Sequence, residues 1–331
     1  MNSNENNIMD KELSFKCPNC QSENFDKTPD SLQCLNCNFK YIISDNVIRF
    51  SFATIKDNTK SEVFKFWNTA PNESLSVDDK IYSDSFFKNT EKQRYDQHKN
   101  FEIPFFKDVV GFENYKNENI LEVGCGIGID SIQFARSGNN LTLLDLTYNS
   151  LLLTKSRLEN EGYNANYIEA DSENLPFLKH SFDLVYSYGV IHHSPDTQKS
   201  IDEIYRVLKP KGEAIVMLYN YHSAMVYFNI FLNEGLRKRY LFKYKSFKEL
   251  LNRRTELQSA KDDNLPILTQ AFSKKEVRHM FQKFQSVEIE THYITKGMFA
   301  QMRHLLPFIP TSIKSRLHKY FGWNHIIKVK K

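Results

Sequence analysis

Between Asn119 and Tyr219 five short apolar runs alternate with amphipathic stretches: ILEVG (120–124), LTLLDL (141–146), ANYIEA (165–170), FDLVYS (182–187) and EAIVMLY (213–219). The stretches near 130–137, 149–161 and 198–208 carry helical periodicity. Strands alternating with helices at this spacing form βαβ units, and so a parallel sheet. A helix near 273–283, then SVEIETHYI (286–294) and GWNHIIKV (322–329), supply two more strands. The expected class is α/β: a mostly parallel seven-stranded sheet with helices on both faces. Residues 220–268 break the rhythm and read as an insertion that forms a substrate lid.

The turn after the first strand reads Glu122-Val-Gly124-Cys125-Gly126-Ile-Gly128. Glycines there permit a sharp turn and close backbone approach to a ligand at a helix N-terminus. Asp145 ends the second strand, where a carboxylate can accept from both hydroxyls of a ribose; Leu146 follows it. Asp171 and Ser172 follow the third strand, and Tyr188 and Gly189 follow the fourth. Open α/β sheets bind ligands at the carboxyl ends of their strands, so these residues define a candidate cofactor site. Cys125 reads as the small residue that the turn needs, not as a nucleophile.

The N-terminal part is organised by cysteine. Four of the five cysteines form two pairs, Cys17-Pro-Asn-Cys20 and Cys34-Leu-Asn-Cys37, separated by 13 residues. Two CxxC turns direct four thiolates to one point, the tetrahedral arrangement of a structural Zn²⁺ ion. Such a closed site has no open position for chemistry. Asn19 and Asn36 are expected to take the left-handed conformation in those turns. The domain plan is a disordered tail (1–14), a zinc ribbon (15–50), a linker (51–60), a helical cap (61–112) and the α/β domain (113–331) with its insertion.

In order and spacing, these segments together with SFDLVYSYGVIHHSPD (181–196) and EIYRVLKPKGEAIVMLY (203–219) resemble the class I S-adenosylmethionine (SAM)-dependent methyltransferases, in particular the group similar to the ubiquinone/menaquinone-biosynthesis enzymes. The fold the resemblance implies is Rossmann-like. The cysteine segment resembles the Trm112-like zinc ribbons. The resemblance implies that Glu122 to Gly128 lie under the methionine part of SAM, that Asp145 binds ribose, and that Asp171 and Ser172 hold adenine. It places Tyr188 and Gly189 near the sulfonium and makes Arg94 and Tyr95, from the cap, candidate cofactor contacts. Pro210-Lys211-Gly212 stands where the family has Pro-Gly-Gly, away from the expected site.

Methyl transfer needs a base only where the acceptor must lose a proton, and His192 and His193, directly after the fourth strand, are the candidates. The leading expectation is an enzyme that methylates oxygen, nitrogen or carbon of a small molecule. The absence of an Asn/Asp-Pro-Pro-aromatic motif in SYGVIHHSP argues against the adenine and cytosine N-methyltransferases. The alternatives are an RNA methyltransferase that grips phosphates with its ribbon and basic C-terminal half, and a catalytically silent binding partner. After Glu290 no acidic residue occurs, and Arg237–Lys248 reads RKRYLFKYKSFK after the apolar run 225–232. Apolar followed by basic suits an amphipathic or anionic acceptor, or a membrane surface. The start MNSNENNIMDKELSF lacks a basic and apolar leader, and no apolar run reaches the ~18 residues of a span, so a cytoplasmic location is expected.

Overall fold

The computed structural model describes residues 13–50, 58–69, 77–244, 246–256 and 267–331. Most of the expected tail and linker, the middle of the cap and the end of the insertion therefore lie outside the described residues.

Four short strands open the chain: β1 (Phe25–Lys27), β2 (Ser31–Cys34), β3 (Lys40–Ser44) and β4 (Val47–Arg49). Helices α1 (Asn58–Thr69) and α2 (Asp84–Gln97) follow, then the small hairpin β5 (Lys99–Asn100) and β6 (Ile103–Pro104), and α3 (Phe106–Val110). The α/β part runs β7 (Asn119–Val123), α4 (Ser131–Arg136), β8 (Asn140–Asp145), α5 (Tyr148–Asn160), β9 (Asn166–Glu169), β10 (Phe182–Tyr188), α6 (Thr197–Val207) and β11 (Leu208–Asn220). Three further strands are β12 (Ala271–Phe272), β13 (Ser286–His292) and β14 (Asn324–Lys330).

The sheet order is β1-β2-β3-β4-β9-β8-β7-β10-β11-β14-β13, with β12 pairing β11. The seven expected strands are all present. Those from β9 through β11 are parallel, and β14 lies antiparallel to both β11 and β13. Side chains of a strand alternate between faces, and here both faces are covered. Leu121 and Val123 of β7 join the core beneath α6, while Ile120 joins the core beneath α4 and α5. Residues 214–218 of β11 divide the same way, Val216 to one face and Ile215 to the other.

The cysteine-bearing segment does not stand apart: β4 pairs in parallel with β9, Val47 opposite Tyr167 and Arg49 opposite Glu169, so both parts share one sheet. Arg49 and Glu169 also form an ion pair across this junction. Ladder pairing between segments 120 residues apart leaves no local sequence signal.

Candidate active site

The order of the sheet reverses between β7 and β10, and a cleft of about 1090 Å³, open to solvent, lies at the strand ends there. The glycine turn forms its floor. Gly124 has φ +80°, and a Cβ there would come within 2.3 Å of Val190. Gly126, at φ +56°, has open space where a Cβ would stand and lines the cleft, so a ligand can lie against the backbone. Beneath the turn, fully buried Arg157 of α5 donates to the carbonyls of Ile127 and Phe87 and to Thr90 Oγ1, tying the floor to α2.

Acidic side chains crowd the cleft. Asp145 accepts from the Gly126 N–H at 3.0 Å through one carboxylate oxygen, and from the Thr147 N–H (2.9 Å) and hydroxyl (2.8 Å) through the other. Burial nevertheless holds its carboxyl above the usual range. Glu122 is fully buried and accepts from the Ser131 hydroxyl; burial, then the nearby charge of Asp130, push it well above the ordinary carboxyl value. Asp130 receives Arg94 at 2.6 Å, the Tyr186 hydroxyl at 2.8 Å and the Tyr95 hydroxyl at 3.3 Å. Sequence reading overlooked Asp130, although an acid two residues beyond Gly128, where a helix begins, was the available signal.

Arg94, Glu122, Gly124, Cys125 and Gly126 all line the cleft, as do Asp145, Leu146, Asp171 and Ser172, and Tyr188 and Gly189. Three expected residues do not line it. Gly128 lies behind the floor, where a Cβ would press on Thr154. Tyr95 reaches the site through its hydroxyl, which meets Asp130 Oδ1 and the Ile129 carbonyl, each at 3.3 Å. His192 is fully buried, its ring centroid 3.9 Å from that of Tyr219, which corrects its candidacy as a base. In the 3₁₀ turn Ile191–His193 the two imidazoles lie against each other, centroids 4.3 Å apart, with His192 on the inner side. Only His193 borders the cleft.

His193 Nδ1 is 2.7 Å from the Leu268 carbonyl, which makes it the donor and leaves Nε2 without a proton in the neutral ring. Nε2 lies 3.8 Å from Glu256 Oε1, and the same oxygen accepts from the Tyr219 hydroxyl at 2.9 Å. Burial lowers the His193 pKa, so the ring is neutral at neutral pH. The Trp67 ring meets it edge-on at 5.5 Å.

Helix α1, which carries Trp67, also brings Lys60 to Asp171 and Glu173 at 2.5 and 2.6 Å. Asp171, expected to meet adenine, is thus held first by an ammonium group, and its second oxygen accepts from the Glu173 N–H at 2.9 Å.

The four N-terminal cysteine sulfurs all lie within 4.8 Å of one another. Cys17 and Cys37 are 3.8 Å apart and Cys20 and Cys34 3.5 Å, close to the ~3.8 Å edge of a tetrahedron with ~2.3 Å metal–sulfur bonds. The turns differ from expectation: the left-handed residues are Gln21 and Asn38, one position past each pair, not Asn19 and Asn36. The Asn36 side chain instead hydrogen-bonds to Cys20 and lowers its thiol to about 6, and Asn19 acts likewise on Cys37.

The family described as "Methyltransferase domain" matches residues 121–216, the span from β7 into β11. The malonyl-[acyl-carrier protein] O-methyltransferase of Buchnera aphidicola subsp. Baizongia pistaciae is 28% identical over 218 residues, 63% of this chain and 84% of that protein. The ubiquinone/menaquinone biosynthesis C-methyltransferase UbiE of Rickettsia typhi is 36% identical over 112 residues, 31% of this chain and 45% of that protein. Phosphoethanolamine N-methyltransferase 2 of Caenorhabditis elegans is 34% identical over 116 residues, 34% of this chain and 26% of that protein. The match thus spans most of the first relative and less than half of the other two. Residues 121–216 thus match a methyltransferase domain, the kind that the resemblance of the strand–turn–helix segments implies.

Proposed function

We propose that this protein transfers a methyl group from SAM to a small-molecule acceptor, with His193 as the base when the acceptor must lose a proton. The observation that carries this reading is the cleft at the β7–β10 strand ends. Four carboxylates (Glu122, Asp130, Asp145 and Asp171) line it against two cations, Arg94 and Lys60. An acid-rich cleft over a glycine turn fits a cationic nucleoside. Asp145 is the ribose partner, Glu122 and Asp130 face the cationic methionine end, and Ser172 and Leu146 border the base. When bound there, SAM supplies an electrophilic methyl carbon on a sulfonium. The chain's own work is to position the acceptor, exclude water and take a proton at His193 Nε2, with Glu256 steadying the resulting imidazolium. The three relatives are named for a carrier-bound malonyl group, quinone biosynthesis and phosphoethanolamine, which supports a small organic group as the acceptor.

The domain plan belongs to the same proposal. Residues 15–50 form a ribbon held by Zn²⁺ on Cys17, Cys20, Cys34 and Cys37; 61–112 form the cap; and 220–268 face the acceptor, as Glu256 indicates. Calorimetric titration of the protein with SAM, S-adenosylhomocysteine and, as control, NAD tests the cofactor. Saturable binding of both sulfur compounds and not of NAD is expected, and binding of NAD alone would overturn the reading. Elemental analysis should find one zinc per chain, lost when Cys34→Ser and Cys37→Ser are combined.

A further inference from the structure

Beyond the strand ends, the π-helical segment Met225–Arg237 packs against the 3₁₀ segment Lys296–Phe308, and the helices Phe247–Arg254 and Thr311–Phe321 complete this layer around their own apolar core. The outer side of the layer is unusual. A 3₁₀ helix repeats every three residues, so Met302, Leu305 and Phe308 form one row, and all three are exposed, Phe308 at 84%. The backbone break at Ala300 separates this row from Phe299, which is buried.

The next helix, Thr311–Phe321, carries one broad apolar stripe that is only half covered. Leu317 and Phe321 pack on the core, whereas Ile313 and Tyr320 at its other border are 51% and 71% exposed, with Arg316 beside them. Across the layer Phe231, Leu232 and Leu236 are exposed on the π-helical segment, and Phe242 just beyond it is 81% exposed.

The charges beside the C-terminal part of this row are all of one sign. Arg303, Arg316 and Lys319 are exposed and have no acidic partner among the described residues, and no acidic residue follows Glu290 in the chain. Arg237, Lys238 and Arg239 are exposed at the end of the π-helical segment, where Lys238 pairs with Glu234 at 2.7 Å. No helix among the described residues is long and apolar enough to cross a membrane.

We infer that this face docks on the surface of an anionic lipid bilayer, with Phe242, Phe308, Ile313 and Tyr320 entering the headgroup boundary and the arginines and lysines meeting lipid phosphates. Aliphatic and aromatic tips set beside Arg303, Arg316 and Lys319, which have no acidic partner among the described residues, are the composition of an interfacial surface that lies on a bilayer without spanning it. A phosphate backbone alone gives Met302, Leu305 and Ile313 nothing to bind, because aliphatic side chains do not stack on bases. A second copy of the chain would oppose like charges across the contact. The inference is independent of the methyl acceptor's identity.

The test is co-sedimentation of the full chain with vesicles of phosphatidylcholine, with and without phosphatidylglycerol. One variant combines Phe242→Ser with Phe308→Ser; a second combines Arg303→Glu, Arg316→Glu and Lys319→Glu. All five side chains lie outside the cleft, so SAM binding reports that the fold is intact. The wild type should bind the anionic vesicles, bind the neutral ones far less and be released by salt, and each variant should lose about tenfold in partitioning. Equal partitioning of wild type and variants, or no partitioning, overturns the inference. So does tighter binding to single-stranded RNA that the Phe variant leaves unchanged, or a dimer in sedimentation velocity that the Phe variant disperses without any vesicle binding.

Discussion

The Arg157 Nε–H donates to the Ile127 carbonyl at 2.7 Å, so a charge on α5, with no access to water, holds the glycine turn on which a cofactor would rest. Its other nitrogens reach the Phe87 carbonyl and Thr90 Oγ1 on α2, and its guanidinium lies over the Phe87 ring. Arg157→Met should cost about 3 kcal/mol, because buried acceptors lose charged donors. Urea unfolding measures that loss, and calorimetry should show weaker SAM binding in the protein that remains folded. A variant with wild-type affinity would mean that the turn holds its shape unaided.

Glu122 shows the cost of building the cleft before its ligand arrives. Its folded-state pKa is raised by burial and by Asp130, so folding loses stability as pH climbs from the unfolded carboxyl value towards the folded one. Glu122→Gln removes that penalty. Its Tm should exceed the wild type's at pH 7 and converge on it near pH 4.5. SAM affinity should move the other way, falling about tenfold, roughly 1.4 kcal/mol, because a neutral amide offers less to a cation. Unchanged affinity would place the cationic end of the ligand elsewhere.

For His193 the expected effect is on turnover. His193→Asn should lower kcat by about a hundredfold or more for an acceptor that must lose a proton, while SAM affinity stays within about twofold. Because the lowered pKa keeps the imidazole neutral, the wild-type rate should be flat at neutral pH and fall only below about 6.5, where a protonated ring can no longer accept. Rates for the variant and the wild type measured across that range decide the role.

Acid should unfold the protein through buried histidines that do not line the cleft. Burial, followed by nearby positive charge, holds His98 and His325 near 3. Both are neutral when folded and would take up a proton when unfolded. Stability is therefore full above pH 6.5 and lost as pH falls from there towards 3, at up to about 1.4 kcal/mol per unit for each ring. Urea midpoints at pH 7, 6 and 5 should show this slope. His325→Gln should remove one ring's share of it.

The sequence displayed what is local. The glycine turn, Asp145 and the cysteine pairs each declare themselves within a few residues, and the period-two and helical patterns gave the order of the strands. What it hid depends on contacts across the chain. Lys60 meets Asp171 from 111 positions away, Arg157 reaches back 70 to Phe87, and Glu256 approaches His193 from an insertion with no motif of its own. Adjacent His192 and His193 looked equivalent because composition cannot say which way a 3₁₀ turn rolls each ring.

The pairing of β4 with β9 also bears on how the chain could be shortened. Cutting the first fifty residues away would not release a free-standing catalytic unit. It would strip the Ile168 register of its neighbour and leave the outermost parallel strand bare, with a row of amides open to the same strand in another molecule. In that sense the cysteine-bearing segment is a selvedge, the woven border that keeps the fabric from fraying.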